Sequence, residues 1–262
     1  MWSLDFIGEQ DFEKHVRLTI QQYGEKLKSY DLKRFNSNIV DPIKLIFDKT
    51  VYRLTWDEII KNEIFRQRDK SSNNDIGYFH QRIFHYIEDC EVPTAGWDVV
   101  FQPSESVTLP DGDRVSTVYV EMKNKHNTMN SASSSKTYMK MQGQLLQDDD
   151  CACFLVETIA KRSQNKTWEV SVDGTHQKHR RIRRVSMDAF YALVTGQEDA
   201  FYKMCMVLPS VIERVVETSG AADVPNDTVI GELCHIANDN GGSFTLALLM
   251  LGFGSYAGFL KS

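Results

Sequence analysis

The stretch VYVEMKNKHNT, residues 118–128, starts as a β-strand and ends as a run of charges and amides. Alternation along a strand places Val118, Val120 and Met122 on one face, and Glu121 and Lys123 on the other. A strand that is only buried on one side does not need an acid, an ammonium group and several amides on its other side. The stretch therefore predicts a functional site at the end of a strand.

The preceding residues predict the partner strand. The segments GWDVVFQPSESVTL, PDGDR and VSTVYVEMK are typical of strand, turn and strand, because Pro-Asp-Gly favours a tight turn. Counting outward from Asp111 and Gly112 sets Asp98 opposite residues 123–125, close to Glu121 and Lys123. Asp111 lies at the turn tip, about 30 Å from Glu121 along an extended strand, so these two acids cannot share a metal ion.

Two carboxylates beside an ammonium group form a site for hard cations. Asp98 and Glu121 would supply oxygen ligands of the kind that Mg²⁺ prefers, and a bound ion could polarise a phosphate and activate water. Lys123 could stabilise negative charge in the transition state. The alternative is a surface salt bridge between Glu121 and Lys123, with Asp98 capping a strand. The hairpin, the crossover that follows it and the adjacent amides and cations favour a hydrolytic metal site.

The rest of the chain predicts an α/β fold, a mixed β-sheet flanked by helices. After the hairpin, a helix over 136–147 and an apolar strand over 151–159 make a crossover between parallel strands, and a further strand near 167–172 extends the sheet. We expect a single domain over 1–262. It comprises a helical N-terminal region (1–92), a catalytic α/β core (93–175), and a basic segment with a helical C-terminal region (176–262).

Helix signals fill both terminal regions. Asp41 and Pro42 resemble a cap and a first-turn proline, Thr55 and Glu58 form a capping box, and a fourth helix is expected over 75–89. The polar segment 66–75 is interpreted as a connection that contacts DNA or as a solvent loop. The C-terminal pattern predicts helices at 187–195, at 198–218 with an interruption at Pro209, and at 227–238.

Composition narrows the classes of function. A net charge of −6 and a pI near 5.7 argue against a protein that coats nucleic acid passively. The segment 176–186 nevertheless carries five Lys and Arg residues and no acid, which indicates either a phosphate-contacting surface or a solvated strand or loop.

The cysteines and one apolar segment indicate where in the cell the protein is expected. The five cysteines are odd in number and show no CxxC pair, and the N-terminus lacks an export signal, so we expect reduced thiols in the cytoplasm. The uncharged segment 241–260 is interpreted as a buried terminal element rather than a membrane span.

The hairpin with Asp98, Glu121 and Lys123 before a crossover resembles the PD-(D/E)XK nuclease superfamily over residues 93–160. The segments GWD…VEMKNKHNTMN and DKSSNNDIGYFHQRIF resemble type II restriction endonucleases, in particular those cutting GGNCC-type sites, over about residues 55–147. Trp97 stands where the motif has proline. The resemblance implies Mg²⁺-dependent hydrolysis of both strands of duplex DNA, leaving 5′-phosphates, by a homodimer on a palindrome.

The resemblance also assigns residues. Asp98 and Glu121 match the metal-binding carboxylates, and Lys123 matches the catalytic lysine. Glu63 is a candidate for a further metal ligand from an upstream helix, with a solvated helix face as the alternative. Gln142 or Gln144 is a candidate for orienting the site.

DNA contacts are expected from cations and amides, since Arg and Lys read guanine while Asn and Gln read adenine in the major groove. The candidates are Arg66, Arg68, Lys70, Asn73, Asn74, Asn124, Lys125, His126, Asn127, Lys136, Lys178, Arg180, Arg181 and Arg183. Two other functions remain open at this point. One is a structure-specific repair nuclease or resolvase on the same fold, and the other is a non-catalytic DNA-binding protein.

Overall fold

A computed structural model describes residues 2–26, 28–172, 174–219 and 226–253. The chain divides into two compact units. Unit 1 comprises Met1–Ile20 and Ile76–Gly220, and unit 2 comprises Gln21–Asp75 and Ala221–Ser262. The single nuclease domain expected from the sequence stays a prediction.

Helices occupy both terminal regions among the described residues, as the periodicity predicts. They are α1 (Glu9–Lys26), α2 (Leu32–Asn36), α3 (Pro42–Tyr52), α4 (Trp56–Arg82), α5 (Ser131–Gln147), α6 (Met187–Thr195), α7 (Ala200–Ser219), α8 (Val229–Asp239) and α9 (Phe244–Phe253). A short 3-10 helix, Ile83–Tyr86, follows α4.

The strands that the structure describes all belong to unit 1. They are β1 (Cys90–Glu91), β2 (Val99–Phe101), β3 (Val107–Thr108), β4 (Arg114–Val115), β5 (Thr117–Lys125), β6 (Cys151–Ile159), β7 (Asn165–Val172) and β8 (Thr175–Ser186). Six of them form a sheet in the order β1-β2-β5-β6-β8-β7, while β3 and β4 form a separate ribbon.

The sheet is mixed, which confirms the predicted fold class. Strand β5 pairs antiparallel with β2 and parallel with β6, and α5 supplies the crossover between the two parallel strands. Strand β8 continues parallel to β6, and β7 closes that edge antiparallel to β8. The basic segment 176–186 is therefore a sheet strand and not a loop.

Each face of the sheet has its own apolar core. One face carries Val118 and Val120 of β5 and packs against α1, α6 and α7. The opposite face carries Leu155 of β6 and packs against Tyr138 and Met141 of α5. Residues 151–157 of β6 are buried throughout, as expected for a central parallel strand covered on both sides.

Unit 2 consists of helices that pack around a separate hydrophobic core. Phe35, Ile60, Leu233 and Leu248 lie at its centre. The Asp41 carboxylate accepts hydrogen bonds from the first backbone N–H groups of α3, as the sequence predicts. The predicted capping box at the start of α4 is also present, since Thr55 and Glu58 exchange hydrogen bonds.

The predicted break between a third and a fourth helix is wrong, because α4 runs without interruption through the polar segment 66–75. The buried positions continue at helical spacing, from Ile64 to Gln67 and on to Asp75 and Phe79. Two of these buried positions, Gln67 and Asp75, are polar, so a pattern of apolar residues alone does not show the buried face of the helix. Tertiary burial along one face, more than residue propensity, stabilises such a helix.

Two expectations for the C-terminal region have different outcomes. Helix α7 is continuous, so the predicted interruption at Pro209 is wrong, and buried Met204, Val211 and Val215 hold the helix on both sides of the proline. Ala247 and Leu248 of α9 are buried, as expected for a terminal packing element. No helix among the described residues is long and apolar enough to cross a membrane, and residues 254–260 of the uncharged segment lie outside the description.

Candidate active site

Asp98 lies one residue before β2, at the point where this short strand meets β5. Its backbone N–H donates to the Val120 carbonyl at 2.9 Å, and its Oδ2 accepts a hydrogen bond from the Met122 N–H at 2.7 Å. Since Val99 pairs with Val120, extending the register by one residue sets Asp98 opposite Glu121. The convergence predicted from the sequence is therefore present.

The register differs from the predicted one by a few residues. Counting from the turn set Asp98 opposite residues 123–125, whereas it lies opposite Glu121. The β3–β4 ribbon pairs Thr108 with Arg114, as a regular turn requires. Residues 102–106 then separate β2 from β3, while Ser116 alone separates β4 from β5. This unequal spacing shifts the register and brings the two acids closer than counting suggested.

Glu121 is bound by two ammonium groups. Lys123 Nζ donates to Glu121 Oε1 at 2.7 Å, and Lys140 Nζ donates to Oε2 at the same distance. Lys123 comes from the same strand, whereas Lys140 comes from α5, which packs on this face of the sheet. The salt bridge of the alternative interpretation is thus real, but it belongs to a larger cluster that also contains Asp98.

The two carboxyl groups differ in acidity. Burial raises the pKa of Asp98, and the nearby Glu121 charge adds to this effect, although the Met122 N–H, Lys123 and Lys140 oppose it. Burial alone would also raise the pKa of Glu121, but the hydrogen bonds from Lys123 and Lys140 outweigh burial and leave that pKa lowered. Pairs of acids with opposite shifts are typical of functional sites.

The donor set suits a divalent cation. The two acids occupy opposite positions on neighbouring strands, and the Glu121 charge makes ionisation of Asp98 harder, a repulsion that a shared cation would relieve. Asp98 Oδ1 accepts no hydrogen bond from any described residue. No group of three or more His, Cys, Asp and Glu side chains suited to a metal occurs among the described residues. Water and substrate oxygens would complete the shell, as is common for Mg²⁺.

Two residues that support the site, Lys140 and Gln81, were missed in the sequence. Lys140 was not identified, because a lysine in an amphipathic helix ordinarily faces solvent. Gln81 of α4 donates to the Asp98 carbonyl at 3.2 Å. Trp97 donates through Nε1 to Gln144 Oε1 at 3.1 Å, so Gln144, a candidate for orienting the site, acts on the residue beside Asp98.

Glu63 is not on a solvated helix face, which corrects that alternative. Its side chain is buried, and it accepts hydrogen bonds from Arg66 at 2.5 and 2.7 Å and from Gln67 at 3.0 Å. Burial would raise the pKa of Glu63, but these donors outweigh burial and lower it. Glu63 therefore has a local structural role in unit 2, and its part in metal binding stays a prediction.

The DNA-contact candidates on α4 differ in the contacts that they make within the protein. Arg68 forms an ion pair with Asp227 at 2.7 Å and stacks over Tyr30. Asn73 donates to Asp69 of its own helix. Lys70 and Asn74 are exposed. Arg68 thus stabilises unit 2, and contacts of these residues with DNA stay predictions.

The candidates that follow Lys123 lie at the end of β5. Asn124 approaches Gly77 of α4, where an added Cβ would lie 3.5 Å from its amide. His126 donates through its backbone N–H to the Ile159 carbonyl, and its Nδ1 is buried without a partner among the described residues. Lys125 and Asn127 are exposed, as is Lys136 on α5.

The basic strand β8 carries its counter-charges from elsewhere in the chain. Arg183 is buried and contacts Asp111 at 3.2 Å and Asn165 at 2.6 Å. Arg180 and Arg181 both bind Asp113, at 2.7 and 3.2 Å. Lys178 lies 3.4 Å from Glu169. The turn acid Asp111, excluded from the metal site by counting, thus binds an arginine of β8.

Comparison with known proteins shows the family to which the chain belongs. The model of the Eco47II restriction endonuclease family matches residues 4–217, most of the chain. The chain belongs to this family. The type II restriction enzyme Sau96I of Staphylococcus aureus is 28% identical over 258 residues, covering 95% of each chain. The type II restriction enzyme Eco47II of Escherichia coli is 27% identical over 225 residues, covering 82% of this chain and 89% of its own length.

Membership of the Eco47II family decides among the functions left open. The protein is a type II restriction endonuclease, which cleaves double-stranded DNA in a sequence-specific manner. The prediction of a type II restriction endonuclease, made from the sequence resemblance, is confirmed. A structure-specific repair nuclease and a non-catalytic DNA-binding protein are both set aside. Restriction endonucleases of this kind generally use a divalent metal ion.

Proposed function

We propose that this restriction endonuclease hydrolyses phosphodiester bonds at a centre formed by Asp98, Glu121 and Lys123, with Mg²⁺ as its divalent ion. The proposal depends on one observation. Two acids far apart in sequence occupy facing positions on neighbouring strands, and an ammonium group binds one of them. The hard carboxylate oxygens favour Mg²⁺ over softer metals.

Each residue has a distinct role in this proposal. Asp98 and Glu121 would hold the ion, which when bound supplies polarisation of the phosphate and activation of water. Asp98 Oδ1 is available for a ligand, because Oδ2 is fixed by the Met122 N–H. Lys123 can leave Glu121 and place its ammonium group against the phosphate, where it stabilises the growing negative charge.

We further propose that the recognition sequence is of the GGNCC type. The support is the sequence resemblance around the site together with the cations and amides at the end of β5, on α4, on α5 and on β8. Asn124 to Asn127 directly follow Lys123 and are best placed for contacts near the scissile phosphate. Electrostatic contacts from these groups should make binding strongly salt-dependent.

We also propose a cytoplasmic homodimer. One Asp98–Glu121–Lys123 centre is present among the described residues, so cutting both strands of a palindrome in one encounter requires two copies of the chain. The five free thiols support a reducing compartment.

The test is direct cleavage. Purified protein is incubated with phage DNA and Mg²⁺, and the fragment ends are sequenced. We expect discrete fragments whose ends share one GGNCC-type sequence, with no cutting by Asp98→Asn at equal DNA binding. Cutting by Asp98→Asn at the wild-type rate would refute the assignment of the centre, and ends without a shared sequence would refute the recognition site.

A further inference from the structure

Lys140 is an active-site lysine that the nuclease motif does not include. Its ammonium group binds three different partners: Glu121 Oε2 at 2.7 Å, the Gly96 carbonyl at 2.5 Å, and the face of the Trp97 ring, 4.0 Å from the ring centre. Gly96 has a positive φ of 95°, a conformation that glycine adopts without strain, and this turn presents its carbonyl to the lysine. The contacts connect α5, the loop before Asp98 and the acid of β5.

The two lysines on Glu121 are held very differently. Lys123 makes one hydrogen bond with the described residues, to Glu121 Oε1. Lys140 has the same distance to Glu121 but two further contacts, and the negative face of the indole ring attracts its ammonium group. Displacing Lys123 from Glu121 therefore costs much less than displacing Lys140.

Trp97 explains how this arrangement arises in the chain. It stands where the nuclease motif has proline, and its ring serves as a platform that a proline could not provide. Its Nε1 donates to Gln144, one turn after Lys140 on α5, and its ring lies 5.5 Å from that of Tyr119. The indole is thus fixed on two sides, and it fixes the lysine in turn.

We propose that Lys140 is a positioning residue that anchors Glu121 for metal binding, whereas Lys123 is the mobile ammonium that leaves Glu121 when the ion binds. This inference depends on the proposed function of Asp98 and Glu121 as the metal-binding pair. Lys140 keeps one carboxylate oxygen of Glu121 fixed, and the other oxygen becomes available to the ion once Lys123 has left it. Trp97 and the Gly96 carbonyl hold the anchor in place.

Under this proposal, two lysines of equal charge and equal distance from Glu121 differ in their effect on Mg²⁺ affinity. Lys140→Met removes the anchor, and partners that orient a metal ligand typically contribute 10- to 100-fold in metal affinity. We expect Mg²⁺ affinity of the DNA-free protein to fall by about that factor. Lys123→Met removes a competitor for Glu121, so the affinity should stay equal or rise. Isothermal titration calorimetry with Mg²⁺ measures both.

Three further variants make the result decisive. Lys140→Arg retains the charge and can stack on Trp97, so it should restore most of the affinity. Trp97→Phe should weaken binding by a smaller factor than Lys140→Met. Lys14→Met, at an exposed position of α1, controls for the loss of one positive charge. Circular dichroism melting confirms that each variant is folded.

Each outcome decides the matter. A fall for Lys140→Met with no fall for Lys123→Met, and recovery in Lys140→Arg, supports the anchor. Equal shifts in one direction for both methionine variants would overturn it, because the lysines would then act only through charge. Failure of the proposed function is recognised separately, because Asp98→Asn would then bind Mg²⁺ as tightly as the wild-type protein.

Discussion

Arg184 offers the sharpest test of how the structure holds the end of β5. The residue lies on β8 and donates two hydrogen bonds to Glu157, one of them at 2.7 Å, and a third to the His126 carbonyl at 2.6 Å. Glu157 is 1% exposed and pairs in register with Lys123. Replacing Arg184 by Met therefore leaves a carboxylate buried directly beside the proposed catalytic strand.

The expected loss of stability follows from the burial of the Glu157 carboxylate. Breaking a fully buried ion pair by removing one partner costs about 3–5 kcal/mol. Arg184 is 27% exposed, so water can partly replace it. Among the residues that the structure describes, the only other donor to Glu157 is Gln164 Nε2, at 3.4 Å. We expect Arg184→Met to lower the free energy of unfolding by roughly 3 kcal/mol, or Tm by about 6–12 °C.

The assay is urea unfolding followed by circular dichroism, with two comparison variants. Arg180→Met on the same strand removes an ion pair whose arginine is 63% exposed, and it should cost less than about 1 kcal/mol. The double variant Arg184→Met with Glu157→Leu removes both charges and should recover most of the loss. A loss below about 1 kcal/mol for Arg184→Met would refute the reasoning.

Three further predictions concern catalysis, pH and DNA affinity. Lys123→Ala should reduce plasmid cleavage by at least ~10²-fold while filter binding changes little, because the lysine acts on transition-state charge; substantial residual cutting would count against its role. Burial lowers the pKa of His15 to about 4. The unfolded state therefore binds more protons below pH 6.5, and stability should fall by up to about 3 kcal/mol as the pH drops towards 4. Urea midpoints at pH 7 and pH 4.5 should differ less in His15→Gln than in the wild type, and an equal difference would contradict this assignment. Asp113→Asn frees two arginines of β8 and should raise nonspecific DNA affinity and steepen its salt dependence, if that strand contacts phosphates. An unchanged salt slope, measured by fluorescence anisotropy, would place β8 away from DNA.

The sequence by itself determined which side chains of the proposed centre come together. Alternation in VYVEMK assigned Glu121 and Lys123 to one face of a strand, and the PDGDR turn brought Asp98 back towards them. These are local patterns, since side-chain period and turn chemistry do not depend on distant residues. The mixed sheet was predicted from the order of the elements, because an antiparallel hairpin is followed by a helix and a further strand, which make a parallel crossover.

Only the tertiary structure decided which groups complete and support that centre. Lys140 reaches Glu121 because α5 packs over the sheet, and neither the spacing nor the type of residue in α5 marks it. The polar segment 66–75 became helical because its buried positions face neighbours that lie far away in sequence. Likewise, Arg181 and Arg183 of β8 form ion pairs with acids of a turn some seventy residues earlier in the sequence. Long-range packing sets these contacts, and a periodicity read along one segment contains no information about them.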